Sequence, residues 1–131
     1  MEIKTNFKGT NIELTEAMKD YAEKKMEKVY KHIENSPDTE VIADIELGKE
    51  ISDQQTGEIF MAEANLRIAG EFYRAVADKE DLYAAIDEMR DELVMQLNKD
   101  KGRKRELQRK GGEKIKDMLH NSQDTEEETT E

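Results

Sequence analysis

EDLYAAIDEMRDELVMQLNKDKGR, residues 80–103, places Leu82, Ile86, Met89, Leu93 and Leu97 at spacings of four and three. At 3.6 residues per turn those side chains share one face, so the stretch predicts a long helix with a single apolar seam. Asp78, Glu80 and Asp81 crowd its start, where the helix dipole favours negative charge. No breaker interrupts residues 82–101. Gly102 is expected to fray or bend the helix, and Gly111-Gly112 to end it. KIKDMLH (114–120) then reads as a weak helix, and NSQDTEEETTE (121–131) as a disordered tail, having almost no apolar content.

A helix with one apolar seam needs a surface to cover it, and the upstream sequence supplies one. Ile3, Thr5 and Phe7 alternate with polar residues, the period of a strand with one buried face. Thr15 reads as an N-cap, and Met18, Ala22, Met26, Val29 and Ile33 form a stripe on a helix over about 15–34, stopped by Pro37. Val41, Ala43, Ile45 and Leu47 predict a second strand. Residues 48–57 (GKEISDQQTG) predict a polar hairpin loop with some mobility. Phe60, Ala62, Ala64, Leu66 and Ile68 point inward from a third strand, and a turn at Gly70 leads into a fourth, about 71–78, carrying Phe72, Tyr73, Val76 and Ala77. The predicted order is β-α-β-β-β-α: an α+β two-layer sandwich, a four-stranded sheet with two helices on one face. The other sheet face is left for solvent or a partner, with Ile59 and Met61 as its exposed apolar candidates.

Composition narrows the function. A chain of 131 residues is one domain plus some tail, and 35% apolar with 40% charged residues makes a thin core under a highly charged surface. With no cysteine there is no disulfide, thiolate nucleophile or Cys-based zinc site. No apolar run approaches the roughly 20 residues of a membrane helix, and the expectation is a soluble, cytoplasmic protein. The net charge of −11 argues against a nucleic-acid ligand until its distribution is read. Residues 38–92 carry 16 acidic and 5 basic side chains, residues 99–116 carry 9 basic and 3 acidic, and residues 121–131 carry five acids and no base. An acidic body, a basic segment and an acidic tail concentrate any anion binding at the basic segment.

Two segments resemble the ribosome hibernation-promoting factor and ribosome-associated inhibitor A family: GTNIELTEAMKDYAEKKMEKV (9–29) and, more specifically, residues 80–103, where Asp81-Leu82-Tyr83-Ala84-Ala85-Ile86-Asp87, Gln96-Leu97, Lys99 and Lys101 fall in the family's order. Glu92 and Met95 depart from it, standing where members tend to be basic. The resemblance covers roughly residues 1–105, and it implies a ribosome-binding α/β domain followed by a C-terminal extension, residues 106–131, largely disordered. It further implies a fold like that of double-stranded RNA-binding domains, which read A-form shape and phosphates. The implied partner is the small ribosomal subunit, its ribosomal RNA and the proteins near its messenger and transfer RNA sites. The implied action is inhibition of translation under stress or in stationary phase by filling the decoding channel, with no cofactor, membrane or catalysis. The chain is expected to be a monomer off the ribosome and, as a short form, to yield inactive single ribosomes rather than pairs. The competing reading is a non-ribosomal RNA- or protein-binding module of the same fold, which accounts more simply for the acidic body.

The residues expected at ribosomal RNA form two basic groups. Lys24, Lys28 and Lys31, with Lys25, are neighbours on the first helix. Lys99, Lys101, Arg103, Lys104 and Arg105, followed by Arg109 and Lys110, form the second and are suited to tracking a phosphate backbone. Each group also reads more plainly: the first as a solvated face balanced by Asp20, Glu23 and Glu27, the second as cations suited to a helix end. Asp81, Tyr83 and Asp87 have no nucleophile or ligand set near them in sequence. They read as a helix cap, a packing or RNA contact, and a partner for a lysine of the first helix. His32 and His120 lack zinc-binding spacing.

Overall fold

A computed structural model describes residues 1–34, 36–50 and 57–128, with side chains through residue 116. The elements are β1 (Glu2–Thr10), α1 (Glu16–Tyr30), β2 (Glu40–Glu50), β3 (Ile59–Ile68), β4 (Glu71–Lys79) and α2 (Leu82–Glu128), the order read from the sequence. The sheet runs β1-β2-β3-β4. β1 and β2 are parallel, a pairing that needs the crossover α1 supplies, and the other two pairs are antiparallel. The hairpin residues 51–56 lie outside the described residues.

Period-2 alternation puts Val41, Ala43, Ile45, Leu47, Ala62, Ala64, Leu66, Ile68, Ala75 and Ala77 on one sheet face, in one cluster with Ala22, Met26, Val29 and Ile33 and with Leu82, Ala85, Ile86, Met89, Leu93 and Leu97. Both helices therefore cover the same face. Register explains the fit. The rows Ile45–Ala64–Ala75 and Leu47–Ala62–Ala77 put small residues on β3 and β4, leaving room for the larger Ile86, Met89 and Leu93 of α2.

Thr15 caps α1, its hydroxyl accepting from the Met18 amide at 3.1 Å. α1 is shorter than its stripe predicts. Past Tyr30 the chain tightens, His32 N–H donating to Val29 and Ile33 N–H to Tyr30, and this turn still brings Ile33 into the core. The two-residue β3–β4 turn has Ala69 at φ 48 and Gly70 at φ 83, both left-handed, the twist that a two-residue hairpin requires. The outer face of the sheet corrects one expectation. Ile59 and Met61 are half-buried, and the exposed apolar residues there are Phe72, at 72%, and Val76.

α2 corrects another. It passes through Gly102, Gly111 and Gly112 and continues as helix to Glu128, where a stop at 111–112 was expected. Three glycines cost about 1 kcal/mol each relative to alanine. Against them stand good helix formers and ion pairs one turn apart: Arg103 and Lys104 with Asp100, Arg109 with Glu106 and Glu113, Lys110 with Glu106. The chain divides into two compact units, Met1–Leu97 and Asn98–Glu131. Among the described residues no helix is long and apolar enough to cross a membrane.

Candidate nucleic-acid interface

Ala22, Met26 and Val29 turn one side of α1 into the core, so the spacing of Lys24, Lys28 and Lys31 carries them out on the opposite side. All three are exposed, and no acid among the described residues pairs with them. Glu16, Asp20, Glu23 and Glu27, at spacings of four, three and four, form a parallel acidic rail on the same helix. The lysine rail is the one nearer α2, because Lys25 and Tyr21, which flank it, reach Asp87 and Tyr83 of that helix.

Lys25 differs from the other three. Its ammonium lies 3.4 Å from Asp87 Oδ1 and 5.0 Å from the centre of the Tyr21 ring, an ion pair and a cation–π contact at once. The Tyr21 hydroxyl donates to the same carboxylate oxygen at 2.8 Å, and the Tyr21 and Tyr83 rings meet edge to face at 4.7 Å. Burial pushes the Asp87 carboxyl up, but the Tyr21 hydroxyl, the Lys25 ammonium and Arg90 outweigh it and hold the group below the usual carboxylate range. The same hydrogen bond, with burial and the negative charge of Asp87, raises the Tyr21 phenol. Asp81 caps α2, accepting from the amides of Tyr83 and Ala84. Thus Asp81, Tyr83 and Asp87 take the cap, packing and lysine-partner places expected of them. Tyr21 and Arg90 were not anticipated, and no spacing links Tyr21 to a carboxylate 66 residues away.

Glu92 is half-buried and accepts from Gln96, which also donates to the Arg74 carbonyl at 2.7 Å. That carbonyl belongs to an edge strand, and the contact satisfies an acceptor that would otherwise be open to pairing. At this point α2 supports the sheet.

The second basic group lies in the second unit. Arg103 and Lys104 both reach Asp100, at 2.7 and 3.1 Å, while Lys99, Lys101 and Arg105 carry no ion pair among the described residues. Lys101, Arg105 and Arg109 share one side of the helix and Lys99 and Arg103 another, which surrounds the helix with cations. Thus the fold gathers Lys24, Lys25, Lys28 and Lys31 on one helix surface and leaves the other five around α2, Lys99 and Lys101 just before the stretch from residue 102 to 116 that is exposed on all sides and Arg103, Lys104 and Arg105 within it. Among the described residues no group of three or more His, Asp or Glu is placed to hold a metal ion.

Residues 5–105 match the family model "Sigma 54 modulation protein / S30EA ribosomal protein". Similar curated proteins include the ribosome hibernation promoting factor of Azotobacter vinelandii, 30% identical over 115 residues, covering 88% of this chain and 96% of that protein. That of Pseudomonas putida is 31% identical over 105 residues, covering 80% and 93%. Among solved structures, the Thermus thermophilus Protein Y N-terminal domain superposes with a TM-score of 0.59 at 30% identity, over 76% of this chain and 98% of that one. A ribosomal subunit interface protein from Coxiella burnetii shares the fold, with a TM-score of 0.52 at 21% identity over 78% and 99%. With residues 5–105 spanned by the family model, this chain belongs to the Sigma 54 modulation protein / S30EA ribosomal protein family.

Proposed function

We propose that this protein is a ribosome hibernation factor that binds the small ribosomal subunit in the decoding channel, over the messenger and transfer RNA sites, and silences translation in stress or stationary phase by occupancy. Its support begins with relatives that carry the hibernation-factor name and align over nearly their whole length. The observation that carries it to RNA is the rail of Lys24, Lys28 and Lys31, exposed, unpaired among the described residues and set on a helix fixed by the core. Cations held ready in this way meet phosphates without first giving up an internal partner, and each phosphate neutralised releases counterions. Lys99, Lys101, Arg103, Lys104 and Arg105 extend the binding to RNA backbone. The acidic body faces away from RNA, where like charge disfavours the reversed orientation. Blocking a channel requires no bond to be made or broken.

Co-sedimentation of the full chain with purified small subunits across a salt series tests this. Replacing Lys24, Lys28 and Lys31 together with Ser lowers the magnitude of the log K versus log salt slope by about 2–3, since each phosphate no longer neutralised accounts for roughly 0.7–0.9. Replacing Lys101, Arg103, Lys104 and Arg105 with Ser also weakens binding. Undiminished co-migration of both variants at low salt would refute the reading.

A further inference from the structure

We infer that Tyr83 is a stacking platform for one unpaired nucleobase of RNA, with the adjacent lysines of α1 taking that nucleotide's phosphates. The inference rests on the RNA-binding reading above and refines it: this part of the surface takes a single-stranded nucleotide, where the lysine rail alone requires only phosphates.

The geometry around Tyr83 supplies both halves of such a site. Tyr83 lies on the first turn of α2 and the residue is 37% exposed, although the Tyr21 ring packs against its ring. The two rings are nearly perpendicular, at 89°. In an edge-to-face pair only one ring gives up a face. If Tyr83 supplies the edge, both its faces stay clear of Tyr21, and if it supplies the face, one does. In either case Tyr21 itself leaves at least one face of the Tyr83 ring uncovered, and 37% of the residue is open to solvent. Its surroundings hold it still. Tyr21 is tied by its hydroxyl to Asp87 and by its ring to Lys25, and the Asp81 cap fixes the helical turn that carries Tyr83. A ring immobilised before binding loses little entropy when a base stacks on it.

The charge beside it has the required sign. Lys25 stands against Tyr21, and Lys24 and Lys28 are exposed and unpaired among the described residues on the same helix. An aromatic face next to a row of cations is the arrangement by which proteins hold single-stranded nucleic acid, stacking contributing about 1–3 kcal/mol per base. The other exposed ring provides a contrast. Phe72 is more open, but the Arg67 guanidinium sits 5.2 Å from its centre. That ring already has a cation of its own chain against it.

The test uses the full-length protein and a short single-stranded RNA with 2-aminopurine at one position, whose fluorescence falls when the base stacks. Saturating wild-type protein quenches the probe severalfold more than the same sequence in a duplex. Tyr83→Phe retains the quench and Tyr83→Leu loses it, with affinity for the strand falling about 5- to 150-fold, the equivalent of the stacking energy. The salt slope is unchanged in Tyr83→Leu, since every phosphate keeps its lysine. Vacant small subunits identify the source of the base: weaker binding of Tyr83→Leu than of wild type assigns it to ribosomal RNA, and equal binding excludes ribosomal RNA as its source. Absence of quenching at saturation by the wild type, or equal quenching by Tyr83→Leu, overturns the inference. Wild-type protein that still sediments with subunits in that case leaves the hibernation reading standing and removes only the stacking site.

Discussion

Lys24, Lys28 and Lys31 stand on a helix whose other side is sealed into the core, whereas Arg103, Lys104, Arg109 and Lys110 stand on a helical segment exposed all round. The first set meets no acid among the described residues, while the second is held by Asp100, Glu106 and Glu113 one turn away. By charge count the second region is the more basic. By availability the first is, because its direction is set by the packing of Ala22, Met26 and Val29 and its cations have no internal partner to leave. The exposed pairs are worth only about 0.3–0.5 kcal/mol each and are screened by salt. They therefore favour the helix without closing its cations to a polyanion. A core-anchored helix offers a fixed array of charge, and a solvated one offers charge in quantity.

The largest expected effect separates these two kinds of helix directly. Leu93 is fully buried, so Leu93→Ala should cost about 2–5 kcal/mol through reduced burial and a residual cavity. Leu107, 62% exposed, should cost less than about 0.5 kcal/mol as Leu107→Ala. Urea unfolding followed by far-ultraviolet circular dichroism gives both values, and equal costs would erase the distinction between the regions. Next in size are the glycines. Nothing lies within 4 Å of a Cβ placed on Gly102, Gly111 or Gly112, so alanine fits at all three. Each change should favour the helix by about 1 kcal/mol, raising helicity while the urea midpoint of the first unit stays put. A midpoint that moved with them would mean that the solvated helix supports the core.

The smallest effect sharpens the comparison at two acids that each hold two donors. Asp87 receives Tyr21 and Lys25 from another helix, and Asp100 receives Arg103 and Lys104 from its own. Because the Asp87 carboxyl is held below its ordinary value, its contribution to stability is fully present above about pH 4 and is lost as pH falls through the depressed value. The stability difference between wild type and Asp87→Asn should accordingly be constant near neutrality and shrink in acid. A difference that persisted unchanged to pH 2 would show that the charge of Asp87 plays no part.

Much of this was legible from local pattern. The seam Leu82, Ile86, Met89, Leu93 and Leu97 lies wholly in the core, as its spacing required, since a helix presents every third or fourth residue to one side. Alternation placed β2 and β3 inward-face residues correctly for the corresponding reason. The outer sheet face was less legible. Register with Arg67 sets Phe72 outward on an edge strand, and a run such as Phe72-Tyr73 has no internal mark of which ring is buried. Gly111-Gly112 misled for the opposite reason: the pair is a real local cost, outweighed by neighbours whose ion pairs form only once the helix exists.

Sequence by itself determined the order of the elements, the one-sided core and the two concentrations of lysine and arginine, because each depends on residues within a few turns of one another. Tertiary structure alone decided which of those cations are free, since an ion pair such as Lys25–Asp87 and a ring contact such as Tyr21–Tyr83 join residues more than 60 positions apart. No periodicity reaches that far. Only the packing of two helices on one sheet brings such groups within a few ångströms, and at that distance charge and aromatic geometry act.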